Sequence, residues 1–255
     1  MTPTDSSTLK TQLTKLGLHS MATLFESEAD RAAKSESSYT SYLARLVEAE
    51  LADKADRSIN ARMSRARFPM LRTLEEFDFD FQPGLSAPRI RELASLGFLE
   101  QAASILLIGG PGVGKTHLAI ALGVCACQAR RSVLFTHAPD LLDDLVAADV
   151  SHTLGKLLDQ LRRLDLVIVD ELGYLPMDAR RANLFFQLVA ARYTRSSLLI
   201  TSNVPFENWG KLFGDEVIAS AILDRLLHVS HVFAINGPSY RLKDKLHGIT
   251  DHQPD

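Results

Sequence analysis

Residues 109–116 read Gly-Gly-Pro-Gly-Val-Gly-Lys-Thr, and they lie between an apolar run at 105–108 and a helix-like run that begins at His117. A strand, a glycine-rich turn and a helix, in this order, are the setting in which this pattern forms a phosphate-binding loop. The glycines let backbone N–H groups turn toward phosphate oxygens at the start of a helix. The stretch therefore predicts a nucleoside triphosphate site.

The last residues of this loop carry the side chains that a bound nucleotide needs. Lys115 is placed to reach the β- and γ-phosphates, and Thr116 offers a hydroxyl to Mg²⁺. The alternative is a glycine-rich turn that binds no ligand. A second half of the site, further along the chain, argues against that alternative. The predicted nucleotide-binding residues are Gly109, Gly110, Pro111, Gly112, Val113, Gly114, Lys115, Thr116 and His117.

The composition is that of an ordinary globular protein. With 255 residues, 46% of them hydrophobic, the chain can form one large domain or a domain with an appendage. No apolar run approaches the roughly 18 residues of a membrane span, and the first ten residues lack the apolar core of a signal peptide, so we expect a cytoplasmic protein. Cys125 and Cys127 are too few for a metal site and face different sides of one helix, so we interpret them as packing residues.

The apolar runs predict the fold class. Three of them, at 105–108, 166–169 and 198–201, are continuous rather than alternating, as is typical of parallel strands covered on both faces. Helix-like segments separate the runs, which predicts a doubly wound α/β sheet flanked by helices. The strand candidates are 105–108, 132–136, 166–169, 198–201 and 229–235.

The chain divides into an N-terminal and a C-terminal part. Apolar residues recur at helical spacing from residue 6 to about 68, and Pro69, the aromatic run at 77–81 and Pro83 then break the pattern. We predict a small all-helical N-terminal domain at 1–68. A connector at 69–84, a nucleotide-binding α/β domain at 85–245 and a polar tail at 246–255 follow.

Asp170 and Glu171 directly follow the apolar run at 166–169. An acidic residue at the carboxyl end of a buried parallel strand projects into the crevice where such sheets bind ligands. We predict that Asp170 holds Mg²⁺, usually through its water shell, and that Glu171 orients and deprotonates the attacking water. The alternative is an acidic helix cap after a core strand.

Two further residues are catalytic candidates. Asn203 follows the run at 198–201, where an amide can position the lytic water or contact the γ-phosphate, although Asn also ends many strands at turns. Arg225 lies near the end of a helix-like run at 219–227. The residues alone leave open whether Arg225 pairs locally or enters a neighbouring subunit's site as an arginine finger.

Charge is unevenly distributed along the chain. The net charge is −3 and the pI about 6.2, but five arginines and no acidic residue occupy 57–72, directly after an acid-rich stretch at 48–56. Such a cluster can neutralise DNA phosphates. A solvated helix face, or arginines that pair with the nearby acids, explains it equally well.

Taken together, these motifs resemble the IstB-type transposition helper ATPases. That family belongs to the AAA+ superfamily and is close to the DnaC-type helicase loaders. The resemblance covers most of the chain, including RARFP at 65–69 and FDF at 77–79. It is carried by GGPGVGKTHLAIALG at 109–123, LVIVDELGYLP at 166–176, LLITSNVPFENW at 198–209, AILDRLLH at 221–228 and SYRL at 239–242.

The resemblance implies an AAA+ fold with a five-stranded parallel sheet, Walker A at 109–116 and Walker B ending at Asp170 and Glu171. It makes Asn203 the first sensor and Arg225 the finger that acts in trans. Arg241 is a second sensor by the same resemblance, and the alternatives are that it binds phosphate or pairs locally. Only about twenty residues follow position 235, so a full helical lid is not expected.

The resemblance also implies ATP and Mg²⁺ as cofactors, and an ATP-dependent homo-oligomer on double-stranded DNA, bound largely without regard to sequence. Such an oligomer presents target DNA to a partner transposase. A DnaC-like helicase loader, which binds single-stranded DNA and a replicative helicase, is the alternative, and a scaffold that binds ATP without hydrolysis is a third reading. The candidate DNA contacts are Arg57, Arg62, Arg65 and Arg67, with Arg180 and Arg181 as weaker candidates.

Overall fold

The computed structural model describes residues 5–174 and 177–242. The chain forms two compact units, Met1–Ala61 and Arg62–Asp255. Among the described residues, no helix combines the length and apolar character needed to cross a membrane.

The first unit is helical. Its helices are α1 (Ser6–Lys15), α2 (His19–Lys34) and α3 (Tyr39–Ala66), the last of which continues beyond residue 61. Phe25 and Leu46 are buried in this unit. The carboxylate of Glu50 accepts the N–H groups of Ser20 at 2.8 Å and Met21 at 3.1 Å. A carboxylate at this place satisfies otherwise unpaired amides at the start of α2.

The boundary between the units lies earlier than the predicted one at residue 68. Ala66 is buried in the core of the second unit, and Met63 and Phe68 pack against that core. The predicted connector at 69–84 also belongs to the second unit, because Leu74 and Phe77 are buried in the same core. The predicted tail at 246–255, with residues 243–245, lies outside the described residues.

A five-stranded sheet forms the centre of the second unit. All its pairs are parallel, in the order β2-β3-β4-β1-β5. The predicted α/β class with a five-stranded parallel sheet is thus confirmed. Strand ends differ from the predicted ones by at most one residue, except that β3 continues to residue 172. The strands are β1 (Ser104–Gly109), β2 (Val133–His137), β3 (Leu166–Leu172), β4 (Ser197–Ser202) and β5 (Ser230–Ile235).

Helices cover both faces of this sheet. Alternate residues of β1 belong to different cores: Ile105 and Leu107 to one, Leu106 and Ile108 to the other. Burial on both faces explains why the strand is apolar throughout. The helices are α4 (Ala87–Leu93), α5 (Gly97–Glu100), α6 (Lys115–Gln128), α7 (Ala138–Val150), α8 (Leu154–Arg162), α9 (Ala179–Arg192), α10 (Trp209–Phe213) and α11 (Glu216–His228), with 3-10 turns at Phe206–Asn208 and Tyr240–Leu242.

Candidate nucleotide-binding site

The phosphate-binding loop joins β1 to α6. Gly112 and Gly114 have φ angles of 78° and 95°, which side chains with a Cβ rarely adopt. A Cβ at Gly114 would also meet the ring of Phe77, and one at Gly112 would meet Ser239. The glycines are therefore required both by the backbone and by the segments packed around the loop.

Two segments remote in sequence hold this loop. The backbone N–H of Tyr240 donates to the carbonyl of Gly112 at 2.8 Å. Gln82, which is fully buried, donates through Nε2 to the carbonyl of Pro238 at 2.8 Å. The rings of Phe81 and Tyr240 meet at 4.6 Å between centroids. The residues before α4 and those after β5 thus jointly support the loop.

Lys115 is the cation of the site. Its Nζ donates to the carbonyls of Gly109 and Gly110, both at 2.7 Å. Burial lowers the pKa of the Lys115 ammonium, the nearby Asp170 and Glu171 oppose that effect, and Arg241 adds to it. The ammonium is therefore held by the loop backbone, in a cleft that Asp170, Glu171 and Arg241 also line.

Asp170 accepts hydrogen bonds from hydroxyl groups of neighbouring elements. The Oγ1 of Thr116 lies 2.9 and 3.0 Å from the two carboxylate oxygens, and the hydroxyl of Thr201 donates to Oδ1 at 2.6 Å. Asp170 is 1% exposed. β3 and β1 both pair with β4 in parallel, and the loop after β1 leads to Thr116 at the start of α6. The carboxyl ends of these strands therefore bring the three residues together.

Glu171 differs from Asp170 in both burial and backbone. Its side chain is exposed, and its φ of 61° lies in the left-handed region. Its backbone N–H donates to Thr201 Oγ1 at 2.9 Å. One of the two adjacent carboxylates is therefore held inside the protein, and the other is accessible.

These residues line one cleft with a volume of about 630 Å³. Of the predicted site residues, Gly109, Gly110 and Val113 are not among its lining. Arg225 is also absent from the lining that the described residues form. The predicted residues that line the cleft are Pro111, Gly112, Gly114, Lys115, Thr116, His117, Asp170, Glu171, Asn203 and Arg241.

His117 is held by the segment before the sheet. Its Nε2 lies 2.8 Å from the carbonyl of Thr73, and the edge of Phe77 meets its ring at 5.3 Å. Pro69 and Met70 line the same cleft. The predicted connector thus supplies one wall of the nucleotide site.

Thr201 and His137 are two of the cleft residues that the sequence analysis did not identify. Thr201 contacts both Asp170 and Glu171, as described above. His137, the last residue of β2, lies beside Asp170 in the sheet, with Nδ1 3.7 Å from Oδ2 of that carboxylate. Both are polar residues at the carboxyl end of an apolar run, which is the signal that identified Asp170 and Asn203.

Arg225 lies on α11, away from the cleft of its own chain. Its Nη1 donates to the carbonyl of Ala221 at 2.9 Å, and its guanidinium lies 4.8 Å from the centre of the Phe186 ring. The side chain is partly exposed. These contacts order the guanidinium at the protein surface.

The candidate DNA-binding arginines have different surroundings. Arg57 forms ion pairs with Glu50 at 3.1 Å and with Asp53 at 2.9 Å. This agrees with the interpretation that the arginines pair with nearby acidic residues. Arg62 donates to the carbonyl of Arg130 at 2.8 Å. Arg62, Arg65 and Arg67 line a groove of about 510 Å³ beside β2, whereas Arg180 and Arg181 pair with Asp149 and Asp143.

Comparison with known proteins agrees with this geometry. Residues 11–248 match the family model described as IstB-like ATP binding protein. The chain is 45% identical over 237 residues to a protein of insertion sequence IS21 from Pseudomonas aeruginosa whose name describes it as ATP-binding, covering 93% of this chain and 89% of the relative.

Solved structures show the same fold. AMPPCP-bound DnaA from Aquifex aeolicus matches with a TM-score of 0.57 at 18% identity, over 73% of this chain and 57% of DnaA. The DnaC helicase loader matches with a TM-score of 0.50 at 21% identity, over 58% of this chain and 86% of the loader. The family match and the geometry of the cleft lead to one conclusion: the chain belongs to the family of IstB-like ATP-binding proteins and is an ATPase with the AAA+ fold.

Proposed function

We propose that this protein forms ATP-dependent homo-oligomers on double-stranded DNA and assists a partner transposase in the transposition of an insertion element. The observation that carries the proposal is the joining of Lys115, Thr116, Asp170 and Glu171 in one cleft, in a chain that belongs to a family of insertion-sequence proteins. The role of DNA and of the transposase follows from the family resemblance.

The donor set of the cleft fits a magnesium nucleotide. The hydroxyl of Thr116 and the carboxylate of Asp170 are hard oxygen donors 2.9 Å apart, of the type that Mg²⁺ prefers. The glycine-rich loop directly precedes α6, and backbone amides at the start of a helix bind phosphates. Mg²⁺, when bound, would neutralise charge on the β- and γ-phosphates. Thr116 and Asp170 would hold it.

The remaining residues of the cleft have separate roles in hydrolysis. Lys115 binds the β- and γ-phosphates and stabilises their charge. The exposed carboxylate of Glu171 accepts a proton from the attacking water, which is the task of a general base. Asn203, at the same end of the sheet, orients that water or senses the γ-phosphate. Arg241 is a phosphate ligand from the segment that supports the loop.

Arg225 completes the site of a neighbouring subunit. Its place on α11, outside the lining of its own cleft, suits a residue that acts in trans. ATP bound between two subunits then favours assembly, because each occupied cleft adds a contact to the next subunit. Hydrolysis removes that contact, so ATP turnover limits the lifetime of the DNA-bound assembly.

Arg57, Arg62, Arg65 and Arg67 are the proposed DNA contacts. The spacing of Arg62 and Arg65 by one turn of α3 suits successive backbone phosphates. Arg57 is the weakest of the four, because Glu50 and Asp53 already bind its guanidinium.

Two substitutions test the chemistry. Lys115→Ala is expected to abolish hydrolysis. Glu171→Gln is expected to retain ATP binding and to trap the DNA-bound assembly, because the phosphate contacts survive while the base is lost. Lys156→Ala, an exposed lysine of α8, serves as the control and should hydrolyse ATP at the parental rate. Parental turnover by the Glu171→Gln protein would remove Glu171 from its catalytic role.

Light scattering separates the proposed function from that of a helicase loader. The protein is measured with a non-hydrolysable ATP analogue and duplex or single-stranded oligonucleotides of about 60 nucleotides. Large assemblies that require both nucleotide and duplex support the proposal. Assemblies that form on single strands instead favour the loader, and a monomer under every condition contradicts the role of Arg225 in trans.

A further inference from the structure

The end of β3 departs from the regular parallel ladder. Val169 lies opposite Ile200 and Leu172 opposite Ser202, so that two residues, Asp170 and Glu171, face a single residue of β4. This arrangement is a β-bulge. Glu171 adopts the left-handed backbone conformation there, with a φ of 61°, which is unfavourable for a residue with a Cβ. Something must hold the bulge in this form.

Thr201 is the residue of β4 that faces the bulge. Its hydroxyl donates to Asp170 Oδ1 at 2.6 Å and accepts the backbone N–H of Glu171 at 2.9 Å. A hydroxyl has one hydrogen to donate and lone pairs to accept, so both bonds form at once. The side chain is fully buried. A single atom therefore contacts both residues of the acidic pair.

We infer that Thr201 is a positioning residue for ATP hydrolysis. Its hydroxyl orients the carboxylate of Asp170 toward the metal position and holds the left-handed backbone of Glu171, so that the Glu171 carboxylate faces the attacking water. The inference rests on the proposed roles of Asp170 and Glu171, through which Thr201 acts. Asn203 follows Thr201 by two residues. The end of β4 therefore positions three polar residues of the cleft, namely Asp170, Glu171 and Asn203.

Ser202 provides a matched control. It is also fully buried at the end of β4. Its hydroxyl donates to the carbonyl of Leu172 at 2.6 Å, beyond the acidic pair. If the hydroxyl of Thr201 only satisfied a buried polar group, its loss would affect the protein as the loss of the Ser202 hydroxyl does. If Thr201 positions the acidic pair, only the loss of the Thr201 hydroxyl lowers the rate of hydrolysis.

The experiment compares Thr201→Val, Thr201→Ser and Ser202→Ala in the full chain. Thr201→Val keeps the shape of the side chain and removes the hydroxyl, and we expect kcat to fall by about 100-fold while KM for ATP stays within about twofold, because misplacement of reacting groups by about 1 Å costs that much. Thr201→Ser keeps the hydroxyl and should restore most of kcat. Ser202→Ala should lower the thermal midpoint and leave kcat near the parental value.

A second readout does not depend on turnover. Binding of Mn²⁺ in the presence of a non-hydrolysable ATP analogue, followed by electron paramagnetic resonance, should require about tenfold more metal in Thr201→Val than in the parent, because Asp170 loses its orienting bond. If Thr201→Val does not fold, as judged by circular dichroism, Thr201→Ala replaces it in both measurements.

The outcomes separate this inference from the proposed function. Parental kcat and metal affinity in the variant without the Thr201 hydroxyl, together with an inactive Glu171→Gln protein, would overturn the inference alone. An equal loss of kcat in Ser202→Ala would also overturn it, because general strand packing would then explain the effect. Parental hydrolysis by Glu171→Gln would instead contradict the proposed function on which the inference rests.

Discussion

The nucleotide cleft and the surface arginines are both rich in charge, but their charges are held differently. In the cleft, loop and strand geometry brings Lys115, Thr116 and Asp170 to one place, where they contact one another, the loop backbone or neighbouring strand ends. Outside it, Arg225 stacks on an aromatic ring and Arg57 bonds to its own acidic neighbours. The role of a residue can therefore be predicted from the backbone geometry around it better than from its charge.

The largest effect that tests this comparison is expected at Arg225. Arg225→Ala should lower the ATPase rate of the assembled protein by about 1,000-fold, because an arginine finger stabilises the charge of the transferred phosphoryl group. Mixing identifies the affected site: an Arg225→Ala subunit keeps a usable cleft, which a Lys115→Ala subunit with its own Arg225 should reactivate. Mixtures without recovered turnover would contradict the role of Arg225 in trans.

A smaller effect is expected within the cleft itself, at the loop backbone. Gly114→Ala should weaken ATP binding by about 30-fold, because the left-handed backbone becomes strained and the new Cβ meets Phe77. Gly110→Ala is the matched control in the same loop, since no atom lies within 4 Å of a Cβ built there. Titration with a fluorescent ATP analogue measures both. Equal losses would show that close approach of the phosphates, rather than the backbone conformation, requires the glycines.

The DNA-binding arginines come next. The double variant Arg62→Glu/Arg65→Glu should bind duplex DNA at least about tenfold more weakly, with the slope of log affinity against log salt reduced by about 2, whatever the DNA sequence. Arg195→Glu/Lys211→Glu reverses the same number of charges at exposed positions and serves as the control. An unchanged slope in the Arg62/Arg65 variant, measured by fluorescence anisotropy, would show that these arginines do not contact phosphates.

The smallest effect is expected at Arg57. Its side chain is 45% exposed and pairs with Glu50 and Asp53, so Arg57→Ala should lower the free energy of unfolding of the helical unit by no more than about 1 kcal/mol. Urea unfolding followed by circular dichroism measures this change. A DNA affinity that falls as much as in the Arg62/Arg65 variant would mean that Arg57 leaves its acidic partners to bind phosphate.

Much of the sheet and of the cleft could be predicted because their residues follow simple sequence patterns. The runs at 105–108, 166–169 and 198–201 are apolar throughout because helices cover both faces of the sheet. The loop pattern and the acidic pair after β3 then place the nucleotide at the carboxyl ends of the strands. Lys115, Thr116 and Asp170 follow from this logic alone.

Other features depend on tertiary contacts that no local pattern records. At the bulge of Asp170 and Glu171, Thr201 of a neighbouring strand accepts the backbone N–H of Glu171, a contact that the sequence of β3 alone does not indicate. The segment at 69–84 contains prolines and aromatic residues typical of a linker, but Leu74 and Phe77 are buried in the core. The role of the arginines at the surface was equally undetermined, because solvent and DNA phosphate suit an exposed guanidinium alike.

The bond from the Tyr240 amide to the Gly112 carbonyl has a practical consequence for trimming the protein. A fragment that stops after Ile235 would retain every strand of the sheet and the complete glycine-rich motif. It would nevertheless lose the amide that fixes the middle of the loop, together with the Pro238 carbonyl that Gln82 binds. A minimal ATPase cut from this fold must therefore extend beyond Tyr240, because an intact motif does not by itself preserve the shape of its loop.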